Sequence, residues 1–400
     1  MNFKKQLLAV AISILAASPA WATNGYFMHG VGQKAKGMGG AGVAFSQDAL
    51  AGGVNPAGMV HQGNRLEVGA DLFRPTRSST HPSYPGVDVD GNQKQNFLIP
   101  EIGYNRMLND NLSLGVSIFG NGGMNTSYDR PMFSLVGRNS GIDMVQAYIV
   151  PTLSWKMNED HSFGVGLNLV SQSFSAKGID QFAGLSSNPG LMTDRGKDWA
   201  TGYGLRLGWQ GKISDTVTLG ATYQSKTRME EFEGYAGLFA EQGDFDIPEN
   251  YALGIAVAAT PELTVAFDVM RINYGDVRSI ANLETEGGPL GADNSAGFGW
   301  KNQTVYKLGL AYDYSDDLTL RAGINHAKSP IPSSQTQFNV LAPATVENHL
   351  TLGATWKMDS GMEVSAHYMH AFEKEIRGTA APFDIKMHQD SFGVSVAWEM

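Results

Sequence analysis

Apolar residues alternate with small or polar residues along most of this chain, from residue 66 to the C-terminus. In the first such segment, residues 66–72, leucine, valine and alanine alternate with glutamate, glycine and aspartate. Successive side chains of a β-strand point to opposite faces, so a period of two indicates a strand and not a helix. The alternation therefore predicts an all-β protein in which each strand has one apolar face.

Fourteen segments have this pattern, and the connections between them alternate in length. We expect the strands at residues 66–75, 97–106, 112–120, 144–157, 162–175, 200–210, 217–227, 249–258, 262–273, 302–313, 317–326, 347–357, 362–372 and 388–399. A short connection rich in turn residues follows every second strand, and the other connections are long. Tight turns at one end and long loops at the other are typical of outer-membrane barrels, whereas a secreted sandwich gives no reason for them. We therefore predict a 14-stranded antiparallel transmembrane β-barrel.

The N-terminus has the features of a secretory signal peptide. Lys4 and Lys5 precede an apolar run from Leu7 to Ala17, and small residues follow as far as Ala22. This order of basic, apolar and small residues predicts cleavage after Ala22. The apolar run is too short to span a bilayer as a mature helix. The export signal agrees with a location in the outer membrane of a Gram-negative bacterium.

The composition and the histidine positions limit the chemistry that this chain can perform. It has no cysteine, which excludes a disulfide framework, a thiolate metal site and a thiol nucleophile. Its net charge of −10 disfavours nucleic acid as a partner. His367 and His370 share a predicted strand but face opposite sides of it, which argues against a metal pair. We predict no catalytic residues, no metal and no cofactor, although an outer-membrane hydrolase that uses His326 or His367 stays open as an alternative.

The segment before the first strand is rich in glycine and lacks the alternation. A 14-stranded barrel has a lumen wide enough to leak unless it is plugged, and tightly folded plug backbone often needs the positive φ that glycine allows. Residues 37–42 match the dinucleotide fingerprint G-x-G-x-x-G, but no strand precedes them and no βαβ unit follows, so plug backbone is the better interpretation. We predict a signal peptide at 1–22, an N-terminal hatch at 23–64 and the barrel at 65–400.

Several short motifs then identify a resemblance to a known family. Asn55-Pro56-Ala57 follows Ala41-Gly42 and Asp48-Ala49, and further matches lie at Ser162–Asn168, Pro261–Thr264 and Ser329–Pro332. With these motifs, the chain resembles the outer-membrane long-chain fatty acid transporters, the FadL-type porins that include uptake channels for toluene and other hydrocarbons. The resemblance covers the whole mature chain.

The resemblance implies a monomeric barrel that moves apolar ligands across the outer membrane without energy input. In the family, the ligand lands in an apolar groove among the outer loops and passes to a lumen site near the mature N-terminus. It then leaves sideways at an inward kink of strand three. The implied partners are a long-chain fatty acid or neutral hydrocarbon and the surrounding outer-membrane lipid and lipopolysaccharide. A general hydrated porin is the other alternative.

Candidate site residues follow from the apolar content of two outer loops and from the family pattern. The predicted ligand-binding residues are Met124, Met132, Phe133 and Leu135 in the loop 121–143, Phe182, Leu185, Leu191 and Met192 in the loop 176–199, and Tyr26 and Phe27 at the mature N-terminus. Apolar residues at a barrel mouth indicate a ligand groove, and packing of the two loops on each other is the alternative. Asn55, Pro56 and Ala57 are the predicted gate. Asn121, Gly122 and Gly123 are the predicted lateral exit, because glycine interrupts strand pairing and marks bends.

The basic residues that hold the ligand carboxylate in the family's fatty acid members are not found at the corresponding positions. Those positions are occupied here by Ser173 and, approximately, by Ala296. Arg206, Lys307 and Arg321 are also predicted to face the lumen, but each could pair with a lumen carboxylate instead. The charge of the ligand stays open.

Overall fold

The computed structural model describes residues 24–400, so the predicted signal peptide at 1–22 lies outside the described residues. Within them, fourteen strands form one antiparallel sheet. They are β1 (Arg65–Ser79), β2 (Phe97–Asn109), β3 (Leu112–Ser127), β4 (Gly141–Lys156), β5 (His161–Lys177), β6 (Asp198–Lys212), β7 (Val217–Gln224), β8 (Asn250–Ala258), β9 (Leu263–Ile272), β10 (Gln303–Ser315), β11 (Leu318–Ala327), β12 (Asn348–Lys357), β13 (Met362–Ile376) and β14 (Ile385–Glu399). Two-residue strands at Val89–Asp90 and Arg228–Met229 pair with β1 and β6.

The sheet closes into a barrel because its first and last strands pair with each other. Arg65 at the start of β1 lies opposite Glu399 of β14 on one side and Asn105 of β2 on the other. Closure lets the backbone groups of the first and last strands pair with each other, as strands that cross a bilayer require. The predicted fold class is confirmed.

Side chains alternate between the lumen and the outer wall, as the period of two predicts. On β12, Leu350, Leu352 and Trp356 point outward and are 44%, 53% and 57% exposed, whereas the inward-facing Thr351 is fully buried. Large exposed apolar side chains recur on the neighbouring strands. An apolar outer wall on every side is stable in lipid and not in water.

Six tight turns and both ends of the barrel domain lie at one end of the barrel, and seven longer connections lie at the other. The longer connections cover residues 80–96, 128–140, 178–197, 225–249, 273–302, 328–347 and 377–384. The largest difference from the predicted strand bounds is in β3, which does not end at residue 120 but continues to Ser127. The loop that follows it is therefore 128–140, and Met124 belongs to a strand. The alternation fails beyond Ile118 because every residue from Phe119 to Ser127 is buried.

Helices are short and lie in the N-terminal segment and in the longer connections. The α-helical turns are Gln33–Lys36, Ala240–Gly243 and Arg278–Ala281, and the 3-10 turns are Ala51–Gly53, Pro56–His61, Asp180–Leu185, Pro189–Leu191, Glu233–Tyr235, Tyr274–Asp276 and Phe338–Val340. Among residues 24–400, none of the helices is long and apolar enough to cross a membrane.

The longer connections pack together over the mouth of the barrel. Rings from different connections meet at short distances, with centroids 5.1 Å apart for Phe133 and Phe182 and 5.2 Å apart for Phe182 and Phe338. Phe174 at the upper end of β5 lies 4.7 Å from Phe239. We refer to this aromatic layer, formed by Phe133, Phe174, Phe182, Phe239 and Phe338, as the outer cap.

Candidate functional site

Residues 24–64, which we call the N-terminal segment, lie against the inward-facing side chains of the barrel. Asp268 of β9 accepts hydrogen bonds from the backbone N–H groups of Gly42 and Val43, at 2.8 and 3.1 Å. Thr351 of β12 accepts from the Gly39 N–H at 2.7 Å and donates to the Gly37 carbonyl oxygen at 3.0 Å. Short turns leave many backbone groups unpaired, and the barrel wall supplies their partners.

Buried ion pairs also join the N-terminal segment to the wall. The Lys36 ammonium contacts the carboxylates of Asp71 on β1 and Glu101 on β2, and all three side chains are fully buried. Lys34 binds Glu363 of β13 at 2.6 Å, and Arg65 binds the same carboxylate. The cations therefore come mostly from the N-terminal segment and the anions from the barrel. Removal of one partner from such a buried pair leaves an uncompensated charge, which is strongly destabilising.

The predicted gate residues connect two parts of the N-terminal segment with the barrel. The Asn55 side-chain amide donates to the carbonyl oxygens of Val43 at 2.7 Å and of Trp209 on β6 at 2.9 Å. Its side-chain oxygen accepts from the Ala57 N–H at 3.1 Å and so caps the 3-10 turn Pro56–His61. Proline at the first position of such a turn loses no backbone hydrogen bond. The tripeptide thus fixes the segment to the wall, and its role as a gate stays a prediction.

The predicted lateral exit coincides with an irregularity in the barrel wall. Pairing between β3 and β4 shifts register between Gly120 and Gly122, so that Asn121 is an extra residue in β3. Pairing between β2 and β3 extends only as far as Ile102 and Ile118. Within residues 24–400, the upper part of β2 pairs with β1 alone. Beyond this break, Asn92 in the connection between β1 and β2 forms a β-bridge with Ser127 of β3.

Beyond the bulge, β3 pairs with the N-terminal segment instead of β2. The Gly123 N–H donates to the Tyr26 carbonyl oxygen at 3.1 Å, and the Met28 N–H donates to the Asn121 carbonyl oxygen at 2.8 Å. Gly122 is needed at this approach, because a Cβ atom there would overlap the Tyr26 carbonyl group. Strand pairing is therefore interrupted between β2 residues 97–101 and β3 residues 119–126, and we call this break in the pairing the window.

The structure brings seven of the ten predicted ligand-binding residues into one apolar cluster below and within the outer cap. These seven are Tyr26, Phe27, Met124, Met132, Phe133, Phe182 and Met192. Leu135 and Leu185 are instead 77% and 62% exposed at the outer surface. Leu191 is half-buried and lies outside the cluster.

Sequence reasoning missed the residues that surround Tyr26. Its ring centroid lies 5.4 Å from that of Tyr274 and 5.9 Å from that of Trp300, both in the connection between β9 and β10. The Tyr274 hydroxyl donates to the Asn24 carbonyl oxygen at 2.5 Å, so that this connection also holds the start of the described chain. The aromatic residues of this connection were the only hint in the sequence, and no motif drew attention to them.

A small apolar cavity of about 40 Å³ lies within the outer cap. Its lining includes Ile142, Phe174, Phe182, Leu290, Phe298 and Phe338. Pockets that hold drug-sized ligands have volumes of about 300–1,000 Å³, so this cavity is too small for such a ligand. Ala296 also lines this cavity and contributes an apolar side chain to it.

The three barrel cations named from the sequence bind neutral oxygens of the N-terminal segment rather than lumen carboxylates. Arg206 donates to the Gly53 carbonyl oxygen at 2.6 Å, and Lys307 donates to that of Gly40 at 3.4 Å. Arg321 donates to the side-chain oxygen of Gln47 at 3.0 Å. The sequence suggested that these cations pair with lumen carboxylates. Most of those carboxylates instead contact Lys34, Lys36 or Arg65. Charge pairing across the lumen depends on contacts that the sequence does not indicate.

The histidines of the hydrolase alternative bind amide oxygens. His326 contacts the side-chain oxygen of Asn348 at 2.8 Å, and His367 contacts that of Gln33 at 2.6 Å. A nucleophile activated by histidine needs its hydroxyl within hydrogen-bond reach of the ring. Among residues 24–400, no group of three or more potential ligand residues could hold a metal ion.

Comparisons with known proteins place the chain in a family. A family model described as outer membrane protein transport protein (OMPP1/FadL/TodX) matches residues 9–388. Long-chain fatty acid transport proteins of Salmonella typhi and Escherichia coli (strain K12) are 23% and 22% identical to the chain, each over 98% of both sequences.

Solved structures show the same fold. The Pseudomonas putida toluene transporter TodX superposes with a TM-score of 0.73 at 21% identity, and the match covers 93% of this chain and 99% of that one. A Pseudomonas aeruginosa FadL homologue gives a TM-score of 0.71 at 18% identity over 94% and 99% of the two chains.

Proposed function

The chain belongs to the family of outer membrane protein transport proteins (OMPP1/FadL/TodX), and we propose that it carries hydrophobic small molecules passively across the outer membrane. Ligand enters through the outer cap, binds beside Tyr26 and Phe27, and leaves sideways through the window between β2 and β3. Relatives named as long-chain fatty acid and toluene transporters make a fatty acid or a hydrocarbon the proposed ligand.

The observation that carries this proposal is the end of pairing between β2 and β3 at Ile118, together with the extra residue Asn121. A window in the wall opens the lumen toward lipid. An apolar chain gains about 0.8 kcal/mol for each CH₂ group that stays out of water. A sideways exit keeps the ligand away from periplasmic water, which a straight path along the barrel axis does not.

The N-terminal segment serves as the hatch in this proposal. Its contacts with β1, β2, β6, β9, β12 and β13 close the lumen to hydrated solutes. The same segment pairs with β3 at the window through Tyr26. A ligand that displaces Tyr26 therefore acts on the hatch and on the exit together.

The proposed partners, besides the ligand, are the outer-membrane lipid and lipopolysaccharide around the barrel. The exposed apolar side chains of the outer wall, such as Leu253 and Leu352, would contact their acyl chains. A barrel closed by its own strands needs no second copy to cover an edge, so we propose a monomer.

Deletion of Asn121 tests the proposed exit. The deletion removes the extra residue and allows β3 to continue straight beside β2, which closes the window. We expect uptake of radiolabelled hexadecanoate and of toluene by cells at limiting concentration to fall to that of a strain without the protein. Surface abundance and heat-dependent gel mobility should stay normal.

Deletion of Tyr314 provides the matched control, because it removes the extra residue of the bulge between β10 and β11, next to a tight turn. Uptake by this variant should equal that of the wild type. Normal uptake after deletion of Asn121 would contradict a sideways exit. Permeation of small sugars through the wild-type protein in liposomes would favour the general porin instead.

A further inference from the structure

A groove of about 360 Å³ crosses the outer wall of the barrel at β4, β5 and β6. Three small side chains lie opposite one another in it, Ala147 on β4, Ser171 on β5 and Thr201 on β6. The next row toward the tight turns consists of larger side chains, namely Ile149, Leu169 and Tyr203. On β5, both rows share the outward face of Leu167, which is 43% exposed. The small side chains therefore leave a concavity in a surface that faces lipid.

Two tryptophans on the outward face of β6 show how deep the groove lies in the membrane. Trp199 and Trp209 are ten residues apart on this strand. At a rise of about 3.3 Å per residue and a tilt of about 40°, this spacing is about 25 Å along the membrane normal, the height of the apolar band between the two aromatic girdles of such barrels. Trp199, beside the long connection 178–197, therefore marks the outer interface. The groove lies just inside it, among the acyl chains of the outer leaflet.

A second concavity, of about 410 Å³, lies at the upper ends of β4 and β5, at the level of the lipid head groups. Lys177 and Lys197 line it. The Lys177 ammonium reaches past Gly141 of β4 and donates to the Ser127 hydroxyl of β3 at 3.2 Å. The Lys197 ammonium lies 5.7 Å from the ring centroid of Trp199. Two cations thus lie directly above the interface that Trp199 marks.

The acids of this second concavity already have other cations as partners. Asp143 contacts Lys94 at 2.8 Å, and Asp194 contacts Arg138 at 3.2 Å. In the described part of the chain, Lys177 and Lys197 form no ion pair with a carboxylate. Their charges are therefore available to an anion from the membrane.

Arg228 supplies a further cation at the edge of the groove. It lies opposite Tyr203 in the short strand that pairs with β6, and its side chain is exposed. The carboxylate of the nearby Glu230 accepts from the N–H and the hydroxyl of Thr201, at 3.0 and 2.8 Å. Among residues 24–400, Arg228 has no carboxylate within ion-pair distance. A charge on the lipid face is costly unless its long side chain reaches the interface, where a phosphate group can bind it.

Building on the proposed contact of the outer wall with outer-membrane lipid, we propose that this surface binds one molecule of lipopolysaccharide. An acyl chain fills the groove, one phosphate of lipid A binds Lys177 and Lys197, and the other binds Arg228. Lipid A carries two phosphates on a disaccharide with several acyl chains, which matches cations at two separate places above one apolar groove. A phospholipid has one phosphate and can neutralise only one of these places.

The bound lipid connects two of the long connections. Lys197 belongs to the connection 178–197 and Arg228 to the connection 225–249, and these contribute Phe182 and Phe239 to the outer cap. A molecule held by both cations restrains the two connections relative to each other. Lipopolysaccharide therefore stabilises the outer cap from the membrane side.

The first test is native mass spectrometry of the purified full barrel in detergent, titrated with diphosphoryl lipid A, monophosphoryl lipid A or phosphatidylglycerol. The wild type should bind one diphosphoryl lipid A more tightly than either of the other two lipids. Lys177→Gln combined with Lys197→Gln should weaken this binding about tenfold or more, as expected for lost hydrogen bonds between charged groups. Lys301→Gln combined with Lys328→Gln removes two exposed cations at the outer ends of β10 and β11, and it should leave the affinity unchanged.

The second test fills the groove. Ala147→Phe places a ring where the acyl chain would lie and should weaken binding of diphosphoryl lipid A about tenfold, a loss expected when a well-packed apolar contact is blocked. Ala322→Phe is the matched control, because Ala322 lies on the outer face of β11 between the exposed Leu310 and Leu352. It should bind lipid A as the wild type does. Heat-dependent gel mobility shows that each variant is folded.

Three results would each overturn the inference. Equal losses in the two lysine pairs would mean that net charge alone attracts the lipid. Equal affinities of the wild type for phosphatidylglycerol and diphosphoryl lipid A would indicate a general surface for anionic lipids. Unchanged binding in folded Ala147→Phe would mean that no acyl chain occupies the groove. Loss of hexadecanoate uptake with lipid A binding intact would count against the proposed transport function alone.

Discussion

At the scale of single residues, we expect Asp244 to make the stability of one long connection depend on pH. It lies in the connection between β7 and β8, where burial and the neighbouring carboxylates of Asp246 and Glu241 raise its pKa to about 7. Asp246 accepts a hydrogen bond from the Met229 N–H at 2.8 Å and lies 3.9 Å from Lys226.

The sign of the effect follows from proton binding. A carboxyl with a raised pKa binds its proton more tightly in the folded loop than in the unfolded chain, where its pKa is about 4. The stability of this connection is therefore highest below about pH 4 and falls as the pH rises toward about 7. Protection of residues 225–249 from hydrogen exchange, corrected for the intrinsic rate, should be lower at neutral pH than in acid.

Substitution of the carboxyl by an amide tests this assignment. Asp244→Asn keeps the size of the side chain without its charge, so protection should stay high at neutral pH. Glu231→Gln changes an exposed acid of the same connection and should retain the wild-type pH dependence. Equal profiles for Asp244→Asn and the wild type would mean that another group controls the loop.

At the scale of elements, the residues of each strand predict which of its faces is apolar. The outward-facing Leu253 of β8 is 67% exposed and lies opposite Ala221 of β7 and Val269 of β9. The alternation already places it on the apolar face. A charged side chain on the outer face must leave water for hydrocarbon. The free-energy cost therefore depends on the depth of the residue in the bilayer, which is set by its position along the strand.

Leu253→Arg should lower the free energy of unfolding by about 2–4 kcal/mol, as for a charge near the bilayer centre. Tyr314→Arg, on the outer face of β10 beside a tight turn, should cost about 0–1 kcal/mol because it lies near the interface. Reversible urea unfolding from lipid vesicles measures both. A smaller cost for Leu253→Arg than for Tyr314→Arg would place the bilayer elsewhere on the wall.

Strand β3 shows the limit of pattern reasoning at this scale. Up to Ile118 its residues alternate, and the prediction of its start at Leu112 was correct. Beyond Phe119 the strand turns inward and both of its faces are buried, so its sequence no longer alternates. Glycine and asparagine at 121–123 indicated a bend, but they gave the same signal as a loop. Only the contact of these residues with Tyr26 shows that they form a bent strand and not a loop.

At the scale of the whole molecule, the N-terminal segment and the barrel are joined by buried ion pairs. Lys36→Met should open the lumen, because Asp71 and Glu101 then lose the cation that both contact. Loss of one partner from a buried pair costs about 3–5 kcal/mol, which is enough to shift the position of the segment. We expect a larger ion conductance of the purified protein in planar bilayers.

Lys34→Met is the matched control for this effect. Its partner Glu363 keeps the contact with Arg65, so that variant leaves no carboxylate without a cation. Its conductance should stay close to that of the wild type. Equal conductance increases in the two variants would mean that positive charge in the segment matters and the particular pairs do not.

The strands, their inward and outward faces and the tight turns were determined by the sequence, because each depends on residues that are neighbours along the chain. The pairing of charges was decided by the tertiary structure alone. Lys34 and Glu363 are 329 positions apart and meet only because the barrel closes around the N-terminal segment. The same closure leaves Arg206 with neutral partners and brings Tyr26 to the break in β3. Interactions across the lumen depend on the relative position of distant strands, and no local pattern records that position.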